Sequence, residues 1–442
     1  MEAPAARSAQ FSSRWPSVLR SNESLQEDAL SLDGCLIRPF AGLRPRSEDA
    51  AAVAAPPYDV LSSAEARLAA AGRPLSFLHV SKAEIDLPPD LDPHAPEVYA
   101  RSAENFRCLI ASGVLRRDDR ECYYVYRLQM GGHVQTGLVA LASVAAYDGN
   151  RIRRHEFTRP DKEDDRVRQI EALNAQTGPV LLAHPDHQEA ETLLVAATAA
   201  APVADVTADG GIRHTLWTID DDDWMTRISA VFDAMPGLYI ADGHHRSAAA
   251  SRVAAARRGR QATSAAEFFL AVIFPAAQMR IMDYNRVVRD LNGLSEETFL
   301  AALSKCFSVR QSAAALHPER PGVFGMYLSR RWYRLEIESA WADVADPVRR
   351  LDVSLLSEHL LEPILGIHDL RRDTRIDFVG GIRGLGELER RVNSGEMAVA
   401  FALHPTPMAD LMAVADAGEV MPPKSTWFEP KLADGLVSHL LD

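Results

Sequence analysis

The segment LYIADGHHRSAAASRVAAARR, residues 238–258, joins an apolar run to an alanine-rich run through a short polar turn. Its pattern predicts a buried strand from Leu238, a turn at Asp242 and Gly243, and a helix from about His244 onwards. The first turn of a helix leaves backbone N–H groups unpaired and carries the positive end of the helix dipole. An anion, and above all a phosphate group, is therefore the expected ligand of this junction.

The side chains of the same turn also suit phosphate chemistry. Gly243 lets the backbone approach a ligand closely, and Arg246 can hold a phosphate through two parallel hydrogen bonds. His244 and His245 each offer a proton donor or a metal ligand. In the alternative interpretation, Asp242 only caps the helix and the histidines satisfy nearby backbone groups. Because Asp-Gly precedes the histidine pair and Arg follows it, we favour the phosphate site.

The composition predicts a globular, cytoplasmic protein. The chain has 442 residues, of which 47% are hydrophobic and 25% are charged, and its net charge is −13. Its basic clusters are short, as at residues 151–154, so we expect no nucleic-acid partner. It lacks an apolar leader and any apolar run of about 18 residues, so we expect no membrane span. The four cysteines form no CxxC pair, which argues against disulfides and a structural zinc site.

Strand and helix patterns alternate irregularly along the chain, which predicts an α+β fold of mixed sheets with packed helices rather than a doubly wound sheet or a barrel. Residues 1–30 show no periodicity and predict a mobile N-terminal extension. Residues 31–442 form the predicted main domain, with a division into sub-domains at 31–235 and 236–442 as an option. β-Hairpins are predicted around Gly131-Gly132 and Ser329-Arg330.

Helices are predicted wherever the apolar residues recur with helical spacing. The segments are Glu97–Ala111, Val167–Gln176, Trp224–Phe232 and Glu296–Cys306. A further helix is expected after the proline-rich loop AAPPYDV, with Ser62 or Ser63 as its N-cap.

A second polar segment, RRHEFTRPDKEDDR, covers residues 153–166. Pro160 prevents one continuous helix across it, so its first part is expected to be extended and its second part helical. The segment combines general-base candidates, a hydroxyl and cations, namely His155, Glu156, Thr158, Lys162, Glu163, Asp165 and Arg166. The alternative is a solvated, charge-rich helix start. The second histidine of an HExxH motif is missing, so zinc proteolysis of that type is excluded.

A third segment, MPPKSTWFEPKLADGL, covers residues 421–436. Lys424, Ser425 and Thr426 follow two prolines that fix the backbone, and Lys431 follows a third. Lysine and hydroxyl groups on a stiffened loop suit a phosphorylated or carboxylated ligand. The glycines of a Walker motif are missing, and the alternative is a packed C-terminal turn.

Five motifs, in this order, resemble the family called domain of unknown function 1015. They are RPF (38–40), PPYDV (56–60), HEFTRPDKEDDR (155–166), ADGHHRSAAA (241–250) and MPPKSTWFEPKL (421–432). The resemblance covers nearly everything after residue 30, and it implies no activity by itself.

The segment IADGHHRSAAA is also similar to the phosphate-binding motif of ParB nucleotide-binding domains, sulfiredoxins and free serine kinases. This resemblance implies that the turn and Arg246 hold nucleotide phosphates. His244 stands where sulfiredoxins have their reactive cysteine, so sulfinic-acid repair is excluded. The chain also lacks the basic character of DNA-partitioning ParB proteins. Of the three resemblances, we therefore retain the one to free serine kinases.

These motifs together predict a phosphoryl-transfer enzyme that acts on a small serine-like metabolite, either as a nucleotide-dependent kinase or as a phosphoserine phosphatase. Glu156 is the expected general base, with His244 as second candidate and His245 as a further catalytic residue. The residues expected to bind phosphate are Asp242, Gly243, His245, Arg246, Lys162, Arg166, Lys424, Ser425 and Thr426.

The expected cofactors are Mg²⁺, with Asp242 or Glu163 as ligands, and ATP or ADP. The alternative function is a ParB-like nucleotide-binding switch without metabolite turnover. The three segments are predicted to form one locally positive cleft, in which Glu156, His245, Arg246 and Lys424 lie within about 10–12 Å of one another.

Overall fold

A computed structural model describes residues 34–258, 264–338 and 345–442. Within these ranges, helices and several β-sheets pack together in mixed order, which confirms the predicted α+β class. The predicted mobile extension, residues 1–30, lies outside the described residues. Of the helices described, none has the length and apolar character needed to cross a bilayer.

The helices, in chain order, are α1 (Ala50–Val53), α2 (Ser63–Ala70), α3 (Leu78–Ser81), α4 (Pro96–Ala111), α5 (Val144–Asp148), α6 (Pro160–Leu173), α7 (Gln188–Ala197), α8 (Asp222–Asp233), α9 (His244–Arg257), α10 (Glu296–Leu303), α11 (Asp352–Leu356), α12 (Leu385–Asn393) and α13 (Met408–Asp416).

The strands, in chain order, are β1 (Ile37–Arg38), β2 (Leu43–Pro45), β3 (Leu115–Arg117), β4 (Tyr123–Met130), β5 (His133–Ser143), β6 (Ile152–Arg153), β7 (Ala175–Gln176), β8 (Val180–His184), β9 (Ala204–Thr207), β10 (Arg213–Ile219), β11 (Leu238–Asp242), β12 (Phe268–Pro275), β13 (Ile281–Met282), β14 (Tyr284–Val288), β15 (Phe307–Ser312), β16 (Val323–Leu328), β17 (Arg331–Ile337), β18 (Ile376–Gly380), β19 (Val399–Ala402), β20 (Trp427–Phe428) and β21 (His439–Leu440).

The larger sheet of the described residues has nine strands, in the order β6-β11-β8-β12-β5-β4-β10-β9, with β1 paired to β5. Strand β11 runs parallel to β6 and antiparallel to β8, and β8 runs parallel to β12. The carboxyl ends of β6 and β11 therefore meet at one edge of the sheet, where residues 154–156 and the start of α9 follow.

A second sheet, of six described strands in the order β15-β17-β16-β19-β14-β18, is antiparallel throughout. It begins in sequence with β14, the first of its strands along the chain. The optional sub-domain boundary near residue 235 falls between β10 and β11, which both belong to the larger sheet, and this division stays a prediction.

The central strand β5 explains how both faces of the larger sheet become buried. Val139 and Leu141 pack into the core shared with the second sheet, whereas Leu138, Ala140 and Ala142 pack on the opposite face against helices. Successive side chains of a strand point to opposite faces, so a strand buried on both sides reads as a continuous apolar run.

The sequence predicted most local elements. Both hairpins form, as β4–β5 and β16–β17, and Ser62 caps α2 through a capping box with Glu65. The helix predicted at Val167–Gln176 is α6, which begins earlier, at Pro160, because proline suits the first helical turn. It ends at Leu173, since Asn174 adopts a left-handed conformation and Ala175–Gln176 pairs as a strand.

Replacing Gly137 by alanine should destabilise the larger sheet. A Cβ at this position would lie 2.5 Å from the backbone oxygen of Ile273 and 2.7 Å from the ring of Phe274, so β12 would have to move away from β5. Overpacking of this kind lowers the free energy of unfolding by about 1–3 kcal/mol. Gly132→Ala in the same hairpin is the control, because no atom of the described residues, apart from its two chain neighbours, lies within 4 Å of its added Cβ. Equal urea midpoints for the two variants would contradict this expectation.

Candidate functional site

The junction of β11 and α9 has the predicted strand-turn-helix conformation. Gly243 adopts φ 98° and ψ 26°, a left-handed conformation that favours glycine, and α9 runs from His244 to Arg257. No described side chain caps the N-terminus of α9. Its first-turn N–H groups therefore have no side-chain acceptor among the described residues, as a phosphate-binding turn requires.

Arg246 is 9% exposed and is surrounded by acceptors from the protein itself. Its Nη2 lies 3.7 Å from Oδ2 of Asp242 and 3.8 Å from Oδ2 of Asp59, and its Nη1 donates to the carbonyl oxygen of Pro179. Burial disfavours the guanidinium charge, but Asp242 and Asp59 together raise the pKa of Arg246. In this structure Arg246 orders the turn, and its predicted contact with phosphate stays a prediction.

Asp242 connects this turn to the C-terminal segment. Its Oδ2 lies 3.3 Å from Nζ of Lys431. Burial alone would raise the pKa of the Asp242 carboxyl, but Lys431 and Arg246 hold it well below its usual range. The Lys431 ammonium also lies over the ring of Trp427, 5.4 Å from its centroid.

An open cleft of about 320 Å³ adjoins this ion cluster. Side chains from separate motifs line it, among them Asp59, His155, Glu156, Lys424, Thr426 and Lys431. A volume of this size lies at the lower end of the range of small-molecule pockets. Glu156 and Lys424 thus share one cleft, as predicted, although 268 positions separate them in the sequence.

Hydrogen bonds from buried groups fix the loop that carries Lys424. The backbone N–H of Met421 donates to the carbonyl oxygen of His155 over 2.8 Å. Arg286, only 1% exposed, donates to the carbonyl oxygen of Lys424 over 3.0 Å, where the lysine backbone has φ 62°. The hydroxyl of Ser425 donates to the carbonyl oxygen of Pro422 over 2.6 Å. The loop is therefore held in place before any ligand binds.

The charges on the cleft wall are of both signs. The Lys424 ammonium has no ion-pair partner within the described part of the chain, and it lies 5.6 Å from the ring centroid of Tyr284. The Glu156 side chain is 51% exposed, and burial of its remainder together with the charge of Asp242 raises its pKa, against the effect of Lys424. The cleft predicted to be locally positive already included Glu156, and Asp59 lines it as a second carboxylate.

Two histidines form the inner end of the cleft region. The rings of His155 and His244 are perpendicular, with centroids 4.5 Å apart, and Nδ1 of His244 lies 3.8 Å from Oε2 of Glu156. Burial lowers the pKa of His155 to about 4 and lowers that of His244 well below its usual value. Both rings are therefore neutral at physiological pH.

Other predicted residues lie outside the open cleft. His245 faces the start of α6, where its Nε2 accepts a hydrogen bond from the backbone N–H of Arg159 over 3.0 Å. Lys162 is exposed in the first turn of α6. Glu163 accepts from the Thr158 hydroxyl and lies 3.2 Å from the Arg252 guanidinium. These residues do not line the cleft that holds Glu156 and Lys424.

Arg166 and Arg246 line a second, enclosed cavity of about 40 Å³. The Arg166 guanidinium stacks on Tyr58, 3.9 Å from the ring centroid, and pairs with Asp165. Burial raises the pKa of Asp434, another residue of this cavity, to about 7. The volume suffices for a few water molecules but not for a nucleotide.

The predicted Mg²⁺ ligands Asp242 and Glu163 are each engaged by a cation, Lys431 or Arg246 for the first and Arg252 for the second. They do not belong to a common cluster of metal-ligating side chains among the described residues. Both carboxylates are thus paired with cations in this structure, and their role as Mg²⁺ ligands stays a prediction.

Sequence reasoning gave no role to Asp59 and Asp434, and it named His155 only as one of several general-base candidates and Lys431 only as a cation of its loop. Asp59, His155, Lys431 and Asp434 all line the cleft or the enclosed cavity. Three of them lie in the segments PPYDV, HEFTRPDKEDDR and FEPKL, which carried the family resemblance. That clustering was the available signal, but side-chain type alone did not show which partners these residues would meet.

Arg246→Ala should lower the stability of the fold, because it leaves Asp59 without a cation and leaves Asp242 with Lys431 alone. Breaking a buried ion pair from one side costs about 3–5 kcal/mol, and we expect about 2–4 kcal/mol here since the Asp59 side chain is 37% exposed. Urea denaturation measures the change. Arg252→Ala on the same helix is the control, since its exposed pairs contribute less than about 1 kcal/mol. A similar loss in both variants would contradict the argument.

Comparison with solved structures finds distant likenesses. A free serine kinase in complex with ADP is 13% identical, with a TM-score of 0.34, and the match covers 67% of this chain and 92% of that one. A conserved hypothetical protein from Pyrococcus furiosus is 14% identical, with a TM-score of 0.34 and coverage of 68% and 95%. SbnI from Staphylococcus aureus is 11% identical, with a TM-score of 0.35 and coverage of 67% and 85%. Likenesses of this level assign no activity to this chain.

Comparison with curated proteins finds no match. A family model described as "Protein of unknown function (DUF1015)" matches residues 37–354. This region includes Asp59, Glu156 and the turn from Asp242 to Arg246. The chain belongs to the DUF1015 family.

Proposed function

We propose that the protein is a phosphoryl-transfer enzyme that acts on a small serine-like metabolite, as a kinase that uses ATP or ADP or as a phosphatase of phosphoserine. The observation that carries the proposal is the shared cleft of Glu156 and Lys424, beside the uncapped N-terminus of α9. A proton acceptor, an unpaired cation and unpaired backbone N–H groups are the parts that phosphoryl transfer needs, because its catalysis rests on positioning and charge stabilisation.

In the proposed complex, the phosphate group lies between the N-terminus of α9 and the Lys424 ammonium. The N–H groups and helix dipole at Gly243 favour negative charge, and Lys424 can approach the phosphate without breaking an ion pair of its own within the described residues. Glu156 is half-exposed in the same cleft, and it accepts the proton of the attacking hydroxyl. Lys431 supplies further positive charge and is oriented by Asp242.

The mixed charge of the cleft supports an amino acid as the metabolite. Lys424 and Lys431 suit a phosphate or a carboxylate, whereas Asp59 and Glu156 suit an ammonium group. An amino acid carries both charges, and a serine-like one also carries the hydroxyl that phosphoryl transfer requires. A purely anionic ligand would leave the carboxylates of the cleft without a partner.

Mg²⁺ remains part of the proposal as the ion that accompanies nucleotide phosphates. Asp242 and Glu163 are its predicted ligands, and each would have to leave its cation, Lys431 or Arg252, in order to bind the ion.

Glu156→Gln should lower turnover by roughly 10²–10⁴-fold while ligand affinity changes little, because glutamine keeps the shape of glutamate but cannot accept the proton. Nucleotide-dependent phosphorylation of serine, and phosphate release from phosphoserine, measure the turnover. Glu297→Gln on the exposed start of α10 is the matched control. Nucleotide binding without turnover in the wild-type protein would favour the nucleotide-binding switch instead.

Lys424→Gln should weaken binding of the phosphorylated ligand by about 10-fold or more, since the loss of one charge-assisted hydrogen bond costs about 1.5–3 kcal/mol. Isothermal calorimetry with ADP and with phosphoserine measures the change. Lys305→Gln, an exposed position after α10, should bind as the wild type does. An unchanged affinity of the Lys424 variant for both ligands would remove this lysine from the site.

A further inference from the structure

Two buried histidines beside the cleft have ring nitrogens without hydrogen-bond partners among the described residues. His155 is 2% exposed, and neither its Nδ1 nor its Nε2 makes a hydrogen bond of ordinary length and angle among the described residues, although the Ile240 backbone lies close enough to raise the pKa of the ring. His244 is 4% exposed, and its Nε2 is unpaired. Buried polar atoms are nearly always satisfied in folded proteins, because an unpaired atom loses its hydration without compensation. Each ring therefore has a nitrogen that a partner other than the polypeptide can occupy.

The Glu156 carboxylate lies next to these rings. One potential ligand atom from each of His155, Glu156 and His244 can be chosen so that all three lie within 4.8 Å of one another. Around a tetrahedral ion with bonds of about 2.0–2.1 Å, neighbouring ligand atoms are about 3.3 Å apart. The half-exposed glutamate can rotate toward the two buried histidines, which the end of β6 and the start of α9 hold in place.

We propose that His155, His244 and Glu156 bind one divalent transition-metal ion, with Zn²⁺ as the first candidate. Imidazole nitrogen suits Zn²⁺, Fe²⁺ and similar ions, whereas Mg²⁺ prefers oxygen ligands alone. Two histidines and one glutamate are also a known ligand set of zinc sites that keep a further coordination position for water or substrate. That position would face the cleft, because Glu156 and His155 both line it.

The inference is compatible with the proposed function but does not depend on it. A carboxylate has two oxygens, so Glu156 can bind the ion through one and accept a proton from the cleft through the other. Asp242 adds negative charge near both histidines, which favours a bound cation. The site differs from the predicted Mg²⁺ site in its ligands, since neither Asp242 nor Glu163 belongs to it.

Metal binding by the full-length chain tests the inference in the absence of nucleotide and metabolite. The protein is stripped with a chelator, dialysed into metal-free buffer and titrated with Zn²⁺ and with Co²⁺. We expect one tightly held Zn²⁺ per chain by elemental analysis, and visible d–d absorption from a Co²⁺ ion of low coordination number. Failure to retain a stoichiometric ion of either metal would overturn the inference.

Variants locate the ion. His155→Asn and Glu156→Gln should each lower the affinity for Zn²⁺ by about 100-fold or more, since loss of even an outer partner costs about 10–100-fold. His184→Asn is the matched control, because His184 is also buried with an unpaired Nε2 but lies outside this cluster. Since His155→Asn can impair folding, circular dichroism accompanies each titration, and Glu156→Gln provides the half-exposed alternative. Equal affinity in all variants, or an equal loss in His184→Asn, would contradict the site.

The outcomes separate this inference from the proposed function. A bound ion in a protein that transfers no phosphoryl group would support the metal site and remove the phosphoryl-transfer proposal. Unchanged phosphoryl transfer by a protein that binds neither Zn²⁺ nor Co²⁺ would remove the metal site and support the phosphoryl-transfer proposal.

Discussion

The carboxylate of Asp242 is the group on which the rest of the site depends. It holds Lys431 at 3.3 Å and Arg246 at 3.7 Å, and Arg246 in turn reaches Asp59 at 3.8 Å. Each of these charges is partly or largely removed from water, so none is stable there without its partners. The cluster therefore orders the PPYDV loop, the turn before α9 and the C-terminal segment together, and the open cleft lies against it.

The parallel pairing of β6 with β11 sets the second part of the site. Both strands end at the same edge of the larger sheet, with Leu238 opposite Ile152 and Tyr239 opposite Arg153. The residues that follow are His155 and, after the turn, His244, whose rings meet at 4.5 Å. Ligand sites at the carboxyl ends of adjacent parallel strands are common in α/β sheets, because chain segments diverge there and leave a crevice. Here one pair of parallel strands in a mixed sheet has the same effect.

The charge of the cleft differs from that of the molecule as a whole and explains the kind of ligand we propose. The chain carries a net charge of −13, but Lys424 reaches the cleft on a loop that buried Arg286 holds by its carbonyl oxygen. Glu156 and Asp59 face it from other segments. A cleft whose wall carries both cations and carboxylates selects for ligands that carry both charges, and against long polyanions, since like charges repel them.

The sequence by itself determined the local elements. The turn at Asp242-Gly243, the hairpins and the proline-initiated α6 follow from residue preferences over a few positions, so they were predictable. Of the four residues predicted to share one cleft, Glu156 and Lys424 line it, whereas His245 and Arg246 do not.

Only the tertiary structure decided which way each side chain of these segments faces. In the folded chain, His245 accepts a hydrogen bond from Arg159, 86 positions away, and Asp242 pairs with Lys431, 189 positions away. The rings of His155 and His244 are also in contact. Residue type shows what a side chain can bind, whereas its actual partner depends on strand order, on burial and on the desolvation of neighbouring charges. These are properties of the packed chain. Contacts between residues so far apart in the sequence produce no local sequence pattern from which they could be predicted.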